Sequence, residues 1–248
     1  MRPLPFLTGL MAFVLTSLPL SHSAGADGSC AEDAMLVFDG SASMSEIGFD
    51  VQKATRIVDA RSAVRRAMPQ IAPYRRVGLL IYGPGPLDAC SNIDLRFAPS
   101  EDATDAIVSA VDTLQPKGLT PLTASVRRAA EALSHRTNPG VVVLVTDGNE
   151  TCGGRPCQLG RQLATEGYDL TVHVIGFKVV LDFFSWDNPE QKSYAENETV
   201  AKCLADQTGG MFVSTETVDE LAAALRDTLG CALIGQGPAV GPARIRPV

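Results

Sequence analysis

The chain has 248 residues, 45% of them hydrophobic and 20% charged, which is enough apolar content to bury a sizeable globular core. Its 28 acidic side chains against 21 basic ones give a formal net charge of −7. That balance leaves no basic field with which to hold a phosphate backbone, so nucleic acid is not expected as a partner.

At the start of the chain, Arg2 precedes an apolar run from Leu7 to Leu20, followed by Ser21-His22-Ser23-Ala24-Gly25-Ala26. This is the pattern of an export signal, with Ala24 and Ala26 at the small-residue positions of an A-x-A cleavage site. Residues 1–26 are therefore expected to be a signal peptide, residues 27–231 the folded domain, and the Gly- and Pro-rich residues 232–248 a disordered tail. The apolar run is shorter than the ~20 residues a spanning helix needs, so no membrane anchor is expected after cleavage. The expected location is secreted or periplasmic.

All six cysteines fall in the exported part, and an even number in an oxidising compartment favours disulfides. Cys30 and Cys231 flank every predicted strand and helix, so a bridge tying the two ends of the domain is expected. The pairing of Cys90, Cys152, Cys157 and Cys203 stays open. Cys152 and Cys157 resemble half of a zinc site, but no matching His/Cys pair stands elsewhere, and His135 and His173 have no ligand spacing.

Short apolar runs alternate with helix-period segments, the mark of an α/β domain with a largely parallel sheet. The predicted strands are Ala34 to Asp39, Arg76 to Tyr82, Ile93 to Phe97, Val141 to Thr146, Leu170 to Phe177 and Met211 to Ser214. The run Val141 to Val145 is apolar without alternation, as in a strand covered on both faces, and should be central. Too few residues separate Tyr82 from Ile93 for a crossover helix, so these two strands should pair antiparallel at a sheet edge.

Helical stripes are read at Ile57, Val64, Met68 and Ile71, at Ile107, Val111 and Leu114, and at Leu122, Val126 and Leu133. The last helix starts with the capping box Thr217-Val218-Asp219-Glu220, buries Leu221, Leu225 and Leu229, and ends at Gly230. The expected fold is a doubly wound, mostly parallel six-stranded sheet with one antiparallel edge strand and helices on both faces. The segment Lys178 to Ser193, with Leu181-Asp182-Phe183-Phe184-Ser185-Trp186, interrupts this alternation; its aromatics are expected to dock on the core, with an exposed platform as the alternative.

Three short pieces carry the chemistry. Asp39-Gly40-Ser41-Ala42-Ser43 gathers a carboxylate and two hydroxyls after the first strand. In Thr120-Pro121-Leu122, Thr120 is placed to cap a helix. In Thr146-Asp147-Gly148, the central strand delivers a carboxylate to its own end. Each is weak alone, because Asp, Ser and Thr also serve turns and caps. In a doubly wound sheet, however, ligands sit beyond the carboxyl ends of the strands, where strand order reverses. There Asp39, Ser41, Ser43, Thr120 and Asp147 would offer only hard oxygens, which suits Mg²⁺ or Mn²⁺.

This constellation resembles the metal-ion-dependent adhesion site of the von Willebrand factor type A domain, over roughly Glu32 to Leu229. The segments Asp88-Ala89-Cys90, Asn149 to Cys157 and Cys203-Leu204-Ala205 are similar to an exported bacterial branch of that family. The resemblance implies direct metal contacts from Ser41 and Ser43, a direct or water-mediated contact from Thr120, and largely water-mediated contacts from Asp39 and Asp147. It also implies a divalent cation, Mg²⁺ ahead of Mn²⁺ or Ca²⁺, whose open position accepts an acidic side chain of a protein partner.

The expected function is therefore non-enzymatic binding of a protein partner. One alternative is an accessory or assembly factor of an envelope complex. Another is a metal-assisted hydrolase, for which Glu150 is the only obvious base. A dinucleotide-binding role lacks its Gly-rich turn after the first strand.

Overall fold

The alternating apolar runs assemble into one sheet. The structure, a computed structural model, describes residues 30, 32–46, 54–148, 150–179, 188–190 and 199–231. The expected signal peptide, the expected tail and the aromatic stretch Leu181 to Trp186 lie outside the described residues. In chain order the strands are β1 (Asp33–Asp39), β2 (Val77–Tyr82), β3 (Ile93–Ser100), β4 (Pro139–Thr146), β5 (Asp169–Phe177) and β6 (Phe212–Thr215). The α-helices are α1 (Arg56–Ala67), α2 (Thr104–Thr113), α3 (Leu122–Ala132), α4 (Pro156–Glu166), α5 (Lys202–Thr208) and α6 (Val218–Leu229).

The sheet order is β3-β2-β1-β4-β5-β6, with β2 and β3 antiparallel and every other neighbouring pair parallel. The apolar run of β4 lies beside β1 in the middle, and the antiparallel partner forms the edge, as its short connection requires. β3 runs on through Pro99 to Ser100, beyond the expected end at Phe97. A proline is tolerated there because an edge strand does not need every N–H for its ladder.

Alternation along the strands builds two cores. Leu36, Phe38, Val143 and Val145 face the layer that contains Ile57, Val64, Ile107, Val111, Leu221 and Leu225 of α1, α2 and α6. Met35, Val37, Val142 and Leu144 face Leu122, Val126, Leu159, Leu163 and Leu204 of α3, α4 and α5. α4 and α5 are not among the helices that periodicity picks out. α5 has only seven residues, and a disulfide from Cys157 of α4 to Cys203 of α5 holds the pair together. The capping box of α6 forms with both of its bonds, Glu220 N–H to Thr217 Oγ1 and Thr217 N–H to Glu220 Oε2.

The other two disulfides are Cys30–Cys231, as expected, and Cys90–Cys152, which ties the β2–β3 loop to the loop after β4. From β1 the chain moves first to β2 on one side and only later to β4 on the other. The carboxyl ends of β1 and β4 therefore border the crevice where strand order reverses.

Candidate metal centre

Strand register sets the first contact. Asp39 lies opposite Tyr82 of β2, and Phe38 opposite Val145 of β4, so the next residues, Asp39 and Thr146, are neighbours. The Thr146 hydroxyl donates to Asp39 Oδ2 at 2.8 Å, and the Tyr82 hydroxyl donates to Thr146 Oγ1 at 3.2 Å. Asp39 Oδ1 accepts the Ser41 N–H at 2.8 Å, which turns the chain at Gly40. Asp39 is fully buried and both its oxygens face protein donors. It anchors the loop that presents Ser41 and Ser43.

Beyond that turn, Ala42–Ser45 form a single turn of 3-10 helix. Ser41 stands at its cap position, yet its side chain makes no capping bond. Instead Ser41 Oγ lies 3.0 Å from Ser43 Oγ, and Ser43 Oγ donates to Asp147 Oδ1 at 2.7 Å. Two hydroxyls and a carboxylate from opposite sides of the crevice thus form one chain of polar contacts.

The Thr120 loop is drawn in by its backbone: Lys117 N–H donates to Gly40 O at 2.9 Å, and Ala42 N–H to Gly118 O at 3.1 Å. Glycines make this approach possible. Gly83 has φ of +105°, and a Cβ there would stand 2.4 Å from Ser41 N; Gly118 has φ of +83°, and its Cβ would stand 2.4 Å from Gly83 O.

Thr120 does not cap α3. Its N–H donates to Thr151 Oγ1 at 2.8 Å and its carbonyl accepts the Thr151 N–H at 3.2 Å. The cap comes instead from Glu150, whose Oε2 accepts the Thr123 N–H and whose Oε1 accepts the Cys152 N–H, both at 2.7 Å. A carboxylate fits a helix N-terminus better than a hydroxyl, because it also meets the positive end of the helix dipole. The Thr120 hydroxyl, freed from that task, makes no hydrogen bond among the described residues.

The electrostatics leave one oxygen wanting. Asp147 is 2% exposed, and its Oδ2 has no hydrogen-bond donor. Burial pushes its carboxyl up to about 8, the Asp39 charge adds to the rise, and the Ser43 bond and the Arg56 charge oppose it. Arg56 Nη1 stands 3.3 Å from Oδ2, within ion-pair reach but without hydrogen-bond alignment. The Tyr82 hydroxyl is also raised well above its ordinary value, by burial first and by Asp39 second.

A buried carboxylate oxygen with no donor, on a carboxyl group joined to the Ser43 and Ser41 hydroxyls, fits a small hard cation. Ser41, Ser43 and Thr120 would be its neutral donors, with Asp39 and Asp147 supplying charge. Among the described residues no three His, Cys, Asp or Glu cluster as an alternative metal site. Cys152 and Cys157 are bonded to different partners and form no zinc site.

Arg56, Thr146 and Tyr82 complete the site without having been singled out. Thr146 carried a signal, since it adjoins Asp147 at the strand end. Tyr82 reads as an ordinary strand residue. Arg56 reads as one of several arginines on an amphipathic helix, and nothing in the sequence marks its contact with Asp147.

Residues 34–150 match the family model of the von Willebrand factor type A domain. The sheet and its flanking helices have the von Willebrand factor type A fold. The "Uncharacterized protein YwmD" of Bacillus subtilis (strain 168) is 28% identical over 225 residues, 86% of this chain and 91% of that one. Among solved structures, the pilus adhesin SpaC from Lactobacillus rhamnosus GG is similar with a TM-score of 0.59 at 16% identity, over 79% of this chain. The match spans only 30% of the adhesin. Proximal thread matrix protein 1 from the mussel byssus, a structure with a zinc-occupied MIDAS motif, is similar with a TM-score of 0.56 at 17% identity, over 82% of this chain and 46% of that one.

Proposed function

We propose that this is an exported, non-enzymatic binding protein that recruits a protein partner through a divalent cation held by Asp39, Ser41, Ser43, Thr120 and Asp147. The observation that carries the reading is the Ser41–Ser43–Asp147 chain, which ends in a buried carboxylate oxygen without a donor. A cation bound mostly by neutral hydroxyls keeps much of its charge and an open position. Mg²⁺ suits the all-oxygen set best, with Mn²⁺ or Ca²⁺ as substitutes. An acidic side chain of the partner would complete the shell.

Export, by way of the signal peptide at residues 1–26 to the periplasm or the exterior, agrees with three disulfides that use all six cysteines. Partner choice belongs to the loops around the site. Part of the Lys178 to Ser193 segment is fastened there. Asn188 Nδ2 donates to Gly154 O at 3.1 Å, and Glu190 Oε2 accepts the Cys157 N–H at the start of α4 at 2.8 Å. The partner is a protein at the cell surface or a component of an envelope complex for which this chain is an accessory factor; capture with and without Mg²⁺ separates the two. Against a hydrolytic role, both oxygens of Glu150, the candidate base, are engaged with backbone N–H groups.

Thermal unfolding tests the reading. In chelator and across a Mg²⁺ titration, the disulfide-intact protein should gain about 3 kcal/mol at a hundredfold excess over Kd, or roughly 5–10 °C in Tm. Ser43→Ala should remove that gain while the fold is kept. An equal gain in the variant, or partner capture that persists in excess chelator, would sink the proposal.

A further inference from the structure

Arg56, the first residue of α1, is 3% exposed, and its Nη1 reaches three oxygens at once: Ser43 O at 2.9 Å, Glu46 Oε2 at 3.0 Å and Asp147 Oδ2 at 3.3 Å. Two of these belong to residues assigned above to the cation. The guanidinium meets Asp147 on Oδ2, the oxygen without a hydrogen-bond donor, and leaves Oδ1 to Ser43. Its own backbone N–H donates to Glu46 O at 3.1 Å, so the start of α1 is pinned to the Ser43 loop.

We infer that Arg56 is a positioning residue that acts as the site's tethered counter-ion, sharing the Asp147 carboxylate with the divalent cation and thereby setting how tightly that cation binds. The inference rests on the metal reading above. An arginine cannot give up its charge by losing a proton, and here it cannot diffuse away, because the Ser43 carbonyl and Glu46 hold it. In the metal-free protein it supplies the positive charge that two buried carboxylates lack. When a dication enters, the same charge repels it at close range. Even with the dielectric of water between them, a unit charge a few ångströms from a dication lowers its affinity by about tenfold, and the buried site makes that a lower bound.

Glu46 modulates the effect, since its mostly exposed carboxylate draws on the same nitrogen and offsets part of the charge. A site so arranged stays assembled without metal and carries surplus positive charge once loaded. An anionic group from the partner then removes the surplus, so that ion and partner strengthen each other's binding.

The test is a Mg²⁺ titration at pH 8 by calorimetry, with Tm in parallel, on the full mature protein and three variants. Arg56→Gln should bind Mg²⁺ about tenfold tighter and show a larger metal-dependent rise in Tm. Arg56→Lys, which keeps the charge, should bind as the wild type does. Glu46→Gln should bind several-fold more weakly. Equal affinity in the wild type and Arg56→Gln, or equal shifts in Gln and Lys, overturns the inference. If Arg56→Gln does not fold, Glu46→Gln decides, and unchanged affinity there overturns it. Mg²⁺ binding by the wild type with these failures defeats this inference alone, whereas no binding by any of the four proteins defeats the metal reading and this inference with it.

Discussion

Asp39 shows how much of the candidate site is held in place by protein hydrogen bonds. Its two oxygens accept from the Ser41 N–H and the Thr146 hydroxyl, and Tyr82 in turn donates to Thr146. Removing the middle of that relay leaves a buried carboxylate oxygen short of a donor. Thr146→Val should therefore cost about 2–3 kcal/mol, lowering Tm by roughly 4–10 °C in chelator. Thermal denaturation checks this; a variant as stable as the wild type would mean that Asp39 needs no such support. At this scale Asp39, Ser41, Ser43, Thr120 and Asp147 were legible as candidates, because each stands at a strand or helix end within a short recognisable string. Arg56 and Tyr82 were not, because a residue brought in by packing leaves no local pattern.

Secondary-structure elements position these residues, and the joints between elements have their own chemistry. β6 is fastened to β5 partly through a side chain, since the Met211 N–H donates to His173 Nδ1 at 3.0 Å. That bond needs a neutral acceptor nitrogen. Burial, and secondarily the Arg75 charge, hold the His173 pKa below its ordinary value. A histidine whose folded pKa is depressed takes up its proton less readily folded than unfolded. Its stabilising contribution is thus present above the ordinary value near 6.5 and is lost as pH falls through the lower folded value. Tm should decline more steeply below pH 6.5 in the wild type than in His173→Asn, and parallel curves would exclude the imidazole as the cause.

The helix ends teach a related lesson. The capping box of α6 was legible because it is local, three residues apart. The cap of α3 was misread as Thr120 because its acceptor, Glu150, comes from the far side of β4. α4 and α5 escaped because their stability lies in packing and the Cys157–Cys203 bridge rather than in a long apolar period.

Across the whole molecule, the disulfides divide between the two ends of the sheet. Cys90–Cys152 and Cys157–Cys203 lie with the loops that follow the carboxyl ends of the central strands, and Cys30–Cys231 lies at the end where β1 begins. The last bridge spans 201 residues, so in the chain-entropy view its loss costs up to roughly 5 kcal/mol. Cys30→Ser with Cys231→Ser should lower Tm markedly yet leave the midpoint of Mg²⁺ stabilisation in place. A shifted midpoint would show that the two ends are coupled through the sheet.

By itself the sequence determined the strands, their apolar faces, the antiparallel edge and the end-to-end bridge, and it nominated the oxygen-bearing residues of the candidate site. All of these are written in spacing over a few residues, or in the order of elements along the chain. Only the tertiary structure decided which carboxylate oxygen is left bare, that Glu150 rather than Thr120 caps α3, how the remaining cysteines pair, and that an arginine stands against Asp147. Those outcomes depend on distances between side chains remote in sequence, set by strand register and loop closure, and no local pattern encodes them.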